Sequence, residues 1–455
     1  MAHAGEHTIW WHVYPLGFLD AEPAAADRPP EAGPAHRLDR LAAWIPHAAA
    51  LGCDGLMLGP VFASETHGYD TVDHFHLDPR LGDEDDLVRL IGAAHDAGMA
   101  VCLDGVFNHV GRGFDAFAAV LADGPDAPTA SWFRLRWPDG AGEPDYDTFE
   151  GHDRLVALDH DEPAVADHVV AVMDHWCDRG VDAWRLDAAY AVPSGFWRTV
   201  TDRVRASHPD VWIFGEVIHG DYVAAVADGG LDSVTQYELW KATWSSIVDH
   251  NLFEVAWTLG RHDDLVAAFA PLTFVGNHDV TRLASTIDDD RLLPHAYALL
   301  LGVGGVPAIY AGDERAFRGV KEEREGGDDA VRPPFPDRPE DLPAGGEDLF
   351  ATIRRLIDVR RAHPWLPRAN TTSTTLANEV AVFVSQPLPA GSAPGTDADV
   401  GPDTPALAIA LNLADEDGEA PTPPGPWTVA VGDGAALDGE VIRLGPCGWA
   451  LLTRP

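Results

Sequence analysis

Lysine is almost missing from this chain of 455 residues: Lys241 and Lys321 are the only two. Against 31 lysines and arginines stand 73 aspartates and glutamates, a net charge of −42. Such a field repels phosphate, which excludes nucleic acid as a partner and, for the same reason, an anionic membrane surface. A neutral ligand fits. Cysteine is scarce too. Cys53, Cys102, Cys177 and Cys447 form no CxxC pair, and Cys53 and Cys102 sit in apolar runs. They read as reduced core thiols, not as a disulfide frame or a zinc site. The opening MAHAGEHTIWWH lacks the basic and apolar stretches of an export signal, and no apolar run reaches membrane-spanning length. The expectation is a soluble, cytoplasmic protein. Oligomeric state is left open.

What is present is apolar and aromatic. A hydrophobic fraction of 46% can fill a large core, and 15 tryptophans offer flat faces for packing or for sugar rings. Short apolar segments alternate with amphipathic helical ones. The strand-like segments are 8–15, 53–62, 99–110, 181–187, 211–217, 231–237, 272–279 and 305–314, with helical spacing between most of them. Strand-helix alternation predicts a parallel sheet, and eight strands over this length favour a closed (β/α)8 TIM barrel of the α/β class. Two segments break the rhythm. Residues 111–157 are rich in Gly, Pro, Asp and Trp without long periodicity and read as an excursion after the third strand. Residues 319–346, charged and proline-rich, read as a surface loop. The barrel therefore takes 1–110 and 158–365. Beyond it, alternating segments such as EVAVFVSQ and ALAIALNL predict an antiparallel β domain, a sandwich over 366–455, with exposed loops at 387–404 and 414–426.

Charge collects at the strand ends. The third strand finishes in Asp104, Asn108 and His109, the fourth in Arg185 and Asp187, the fifth in Glu216, the seventh in His278 and Asp279. In a parallel barrel all these ends share one mouth, where such folds keep their chemistry. Arg185 and Asp187 are two apart on a strand and face one way. The guanidinium can hold and orient the carboxylate. Carboxylates gathered in one mouth suit cleavage of a glycosidic bond, where one acid protonates the leaving group and another attacks the sugar carbon.

The segments DGVFNHVG, GVDAWRLDAA, IFGEV and FVGNHD resemble the four signatures of the α-amylase family, glycoside hydrolase family 13. HGYDTVDHFHLDPRLGD, LVALDH and GVPAIYAGDE are similar to its secondary signatures, in order, from about residue 8 to 365. The likeness runs toward the neopullulanase, cyclomaltodextrinase and α-glucosidase part of the family. It implies a retaining double displacement on short α-gluco-oligosaccharides or cyclic maltodextrins. Asp187 would be the nucleophile, Glu216 the acid and base, and Asp279 the transition-state stabiliser. His109 and His278 match histidines that hydrogen-bond the reacting sugar, Tyr69 matches the platform beneath it, and Asp70 would help wall the pocket. The excursion corresponds to the family's domain B. Ala188, after the nucleophile, points to α-1,4 links. Tyr190, Ala191 and Val192 stand where many α-amylases carry Lys-His, a departure on the leaving-group side. The resemblance requires no cofactor; Asn108 matches a calcium ligand of the family, without an assignable aspartate partner. A transglycosylase of the same fold and a non-catalytic sugar-binding relative are the alternatives.

Overall fold

A computed structural model of the protein describes residues 4–29, 32–138, 142–324, 326–388 and 404–454. Eight short strands form the barrel: β1 (Trp10–Val13), β2 (Gly55–Leu58), β3 (Ala100–Gly105), β4 (Ala183–Leu186), β5 (Trp212–Gly215), β6 (Ser233–Val234), β7 (Leu272–Phe274) and β8 (Val306–Tyr310). All neighbours pair in parallel, in the order β6-β5-β4-β3-β2-β1-β8-β7. The two ends of that row meet. Thr235 bridges Leu272 in parallel, and the Gln236 N–H donates to the Leu272 carbonyl at 2.9 Å, closing the barrel. Helices cover the outside: α1 (Ile45–Leu51), α2 (Glu84–Asp96), α3 (Pro163–Cys177), α4 (Ser194–Ser207), α5 (Tyr222–Gly229), α6 (Tyr237–Val248), α7 (Phe253–Ala268), α8 (Leu293–Gly302) and α9 (Glu347–Arg361). Acids gather in the first turn of α2, where the Asp83 carboxylate caps the Asp86 N–H, as the positive end of a helix favours.

The strands are buried on both faces and therefore mostly apolar, with His12, Asp104 and Arg185 as polar members toward their C-terminal ends. Alternate residues point inward and outward. Trp11, Val13, Leu56 and Leu58 pack outward in the core between sheet and helices. Trp10, Met57, Cys102, Trp212, Phe214 and Phe274 fill the interior, with Trp10 and Trp212 stacked 5.9 Å apart.

Three sequence expectations change. The run 99–110 is two elements: β3 stops at Gly105, and His109–Gly111 leaves the barrel to pair antiparallel with Leu155–Ala157. The excursion contains a helix, Asp115–Asp123, whose nine residues are too few to show a clear period in sequence. Within 414–426, expected as loop, Gly418–Pro421 forms a strand. Most of the loop expected at 387–404 lies outside the described residues.

The C-terminal region is one antiparallel sheet of β9 (Ala369–Leu376), β10 (Val380–Pro387), β11 (Ala406–Asn412), β12 (Gly418–Pro421), β13 (Thr428–Asp438) and β14 (Val441–Arg454). Its alternation serves two cores. Phe383, Leu407, Ile409 and Leu451 join the main core on one face, while Val382, Ala408, Ile442 and Leu452 pack under Trp427 on the other. No helix among the described residues is long and apolar enough to cross a membrane. Their four cysteines are all free thiols.

Candidate active site

The alternation that buries Cys102, Ala183 and Phe214 inside the barrel puts Asp104, Arg185 and Glu216 on the same faces two residues later. Those positions form the mouth. Arg185 sits at its centre, buried, and reaches acids from several strands. Its Nη1 donates to both oxygens of Asp104 at 2.7 Å and to Asp187 Oδ1 at 3.2 Å. Its Nη2 lies 2.8 Å from Glu216 Oε1 and 4.0 Å from Asp279 Oδ2. One cation thus gathers the three carboxylates expected to react, plus Asp104.

Each acid has further partners. Glu216 accepts from the Ala188 N–H and the Tyr237 hydroxyl, both at 3.1 Å. Ala188 holds φ 45°, a left-handed conformation that a non-glycine residue adopts at a cost, and this turn aims its N–H at Glu216. Tyr237 is itself held by the Asn277 amide at 3.1 Å, and Asn277 accepts from the Asp279 N–H at 2.9 Å. His278 lies 3.1 Å from Asp279 Oδ2 through Nε2. The same nitrogen meets the Tyr69 hydroxyl, and the two rings stack with an interplanar angle of 5°. The Tyr69 hydroxyl donates to Asp104 at 3.2 Å.

Electrostatics follow from this crowding. Burial pushes the Asp187 carboxyl well above the usual range; Arg185 opposes the shift, and Glu216 and Asp104 add to it. Burial likewise takes Asp104 up to about 6. Asp279 behaves oppositely. Burial would raise it, but His278, Arg332 and Arg185 outweigh that and hold it below the carboxylate range. Asp104, Asp187 and Glu216 face one guanidinium, and this crowding favours the protonated form of Asp187, while Asp279 stays charged. Burial holds His109 and His12 down to about 3 and lowers His278, so all three are neutral hydrogen-bonding groups near pH 7.

The remaining expected residues fall in different places. His109 is buried at the mouth. The Asn108 amide reaches its Nδ1 at 3.1 Å, which leaves the proton on Nε2, and its ring stacks on Phe149 at 4.6 Å. Asp70 is buried but turned into its own loop: it accepts from the Thr66 N–H at 3.0 Å and the Thr66 hydroxyl at 2.5 Å, bracing the turn that presents Tyr69. Asn108 makes that His109 contact and borders a cavity of about 520 Å³, lined also by Tyr146, Asp147, Phe149, Glu150 and Tyr190. Among the described residues, the cluster of His, Asp, Glu or Cys side chains close enough for a metal is His36, Asp83 and Asp86, which includes the cap of α2.

The sequence profile of the α-amylase catalytic domain matches residues 13–335. The chain belongs to the α-amylase family. It is 29% identical over 478 residues to a cyclomaltodextrinase of Geobacillus thermopakistaniensis (strain MAS1), covering 98% of this chain and 76% of that one. It is 30% identical to a maltogenic α-amylase of Bacillus acidopullulyticus, covering 79% of this chain and 63% of that one. The solved structure of cyclic α-maltosyl-(1→6)-maltose hydrolase from Arthrobacter globiformis, in complex with that sugar, superposes with a TM-score of 0.80 at 25% identity, over 99% of this chain and 98% of that one.

Within this member of the α-amylase family, several residues at the mouth escape a reading of strand ends. Tyr237 and Asn277 grip Glu216 and Asp279, Phe149 backs His109, and Tyr190 joins the excursion through a 2.9 Å bond from its hydroxyl to Glu150. Asn277 lies inside the FVGNHD segment and was there to be read. Phe149 and Glu150 sit in a stretch without periodicity, and only closure of the excursion over the mouth brings them in.

Proposed function

We propose that the protein is a retaining α-glucoside hydrolase acting on short α-gluco-oligosaccharides or cyclic maltodextrins, with α-1,4 links preferred. The observation that carries this is the single Arg185 guanidinium reaching Asp187, Glu216 and Asp279 together. A double displacement needs one carboxyl charged and its partner protonated. Asp187 and Glu216 both meet the Arg185 cation, which sets the attacking and the proton-donating carboxyl side by side. With a glucosyl ring on Tyr69, Glu216 gives its proton to the leaving oxygen while Asp187 attacks the anomeric carbon. Glu216 then takes a proton from water as the glycosyl ester is cleaved. Charged Asp279, with neutral His109 and His278, holds ring hydroxyls and favours the cationic transition state. The cavity beside Tyr190 and Asn108 receives the leaving group. The ligand partner is a neutral oligosaccharide, in keeping with the charge of −42. The same reading places the protein in the cytoplasm, which suits its free thiols.

The test is release of reducing sugar from maltotriose, cyclomaltodextrin, isomaltose and sucrose. With Glu216→Gln and α-glucosyl fluoride, intact mass and peptide mapping should place a glycosyl adduct on Asp187. No sugar released from any substrate would sink the hydrolase reading. Longer products at high maltotriose would turn it to transglycosylation.

A further inference from the structure

The segment between β8 and α9 reads as surface in sequence, yet its middle is part of the mouth. The Tyr310 hydroxyl donates to the Val331 carbonyl at 3.0 Å. Phe335 stacks on Phe18 with centroids 4.2 Å apart, and its N–H donates to the Phe18 carbonyl at 3.0 Å. Gly17 lies where the loop crosses: a Cβ there would collide with the Arg332 carbonyl oxygen, so any larger residue would lift the loop.

Seated this way, the Arg332 side chain is only 9% exposed. Its guanidinium covers the Tyr14 ring at 4.4 Å. Nη2 donates to Asp279 Oδ1 at 2.9 Å, and Nε donates to the His278 carbonyl at 2.9 Å. Asp328 Oδ2 lies 3.1 Å from the same Nη2. One planar fork therefore holds two points of one dipeptide, its backbone and its carboxylate. The Asp279 side chain is 28% exposed; His278 Nε2 lies 3.1 Å from its Oδ2, and Arg332 holds the other oxygen, Oδ1.

Resting on the hydrolase reading above, we propose that Arg332 is a positioning residue for the reaction: through its two-point hold on His278 and Asp279 it fixes the direction in which Asp279 meets the sugar hydroxyls. That grip strengthens as the sugar ring flattens and gains charge, so its loss falls on the transition state more than on substrate binding.

The experiment is steady-state kinetics on α-glucosyl fluoride, whose good leaving group keeps slow variants measurable. In the wild-type background Arg332→Met should lower kcat about 100-fold with KM changed less than about threefold. In an Asp279→Ala background, which removes the oxygen that Arg332 holds, the same substitution should cost less than about threefold, because its route of action is already gone. Arg332→Lys, which keeps charge but not the fork, should fall between wild type and Arg332→Met. Should Arg332→Met not fold, Arg332→Lys is read in both backgrounds against the same non-additivity. An equal cost in both backgrounds, or a wild-type-background loss under about tenfold for Arg332→Met, overturns the proposal. A wild-type enzyme that turns over no glucoside overturns the hydrolase reading and this one with it.

Discussion

The barrel interior has two layers, two residues apart on the same strands, with opposite chemistry. The lower holds Trp10, Met57, Cys102, Ala183, Trp212 and Phe214. The upper holds His12, Asp104, Arg185 and Glu216. Between them lies a void of about 20 Å³, lined by His12, Met57, Arg185, Tyr237 and Asn277, with room for one water. Strand periodicity is indifferent to which chemistry it carries. The lower layer is dry and stacked and favours folding. The upper layer strips water from several acids and one cation, which folding alone would disfavour. The barrel tolerates the second because the first, with the helices outside, supplies the burial.

The comparison breaks most sharply at the catalytic pair. Asp187→Asn or Glu216→Gln should lower kcat by about 10⁴-fold or more, with the thermal midpoint unmoved or raised as repulsion eases. If either variant unfolded instead, the upper layer would be structural. Arg185→Met tests both roles. It leaves Asp104, Asp187 and Glu216 without their common partner, and urea unfolding should show a loss of about 3–5 kcal/mol along with the activity. Trp10→Ala is the converse. It should cost about 3–5 kcal/mol in the same assay, since a buried tryptophan leaves a cavity, while kcat at low temperature stays within an order of magnitude.

Much of the upper layer was legible because barrel strands are short and their ends abrupt. Arg185, Asp187 and Glu216 each follow an apolar run, so the change of character marks the mouth directly. The lower layer was legible only as hydrophobicity: nothing in TIWWHVYP says that Trp10 faces in and Trp11 out. Asp70 looked like a site residue by its place beside Tyr69, but its hydrogen bonds hold the turn. Arg332 was invisible for a different reason. It lies in a charged, proline-rich stretch, the composition of solvated loops, and its burial depends on Gly17 and Phe18, more than 300 positions away along the chain. Local pattern reports local burial; contacts made by loop closure leave no period to read.

A smaller effect sharpens the contrast at the rim. Asp313 follows β8. Its Oδ1 accepts from Arg282 Nη1 at 2.7 Å, and its Oδ2 is buried without a partner. Gly276 stands against that oxygen, where a Cβ would collide with it. Burial raises the Asp313 carboxyl to about 6, against the pull of Arg282. An unfolded aspartate titrates at about pH 3.9, so the folded protein binds this proton more tightly. The resulting stabilisation is complete below about pH 4 and is lost as pH rises through about 6. A carboxyl that titrates about two pH units higher when folded than when unfolded adds at most about 3 kcal/mol. Asp313→Asn keeps an oxygen for Arg282 but cannot titrate. The stability of wild type minus that of the variant, from urea unfolding at pH 4, 5, 6 and 7, should therefore fall from pH 4 to 6 and level off toward pH 7. Asp104, raised to about 6 by burial as well, contributes the same slope to both proteins and cancels in the difference. A flat difference would mean that Asp313 is already ionised when folded, with Arg282 outweighing burial, and the rim would then resemble Asp279 more than Asp187.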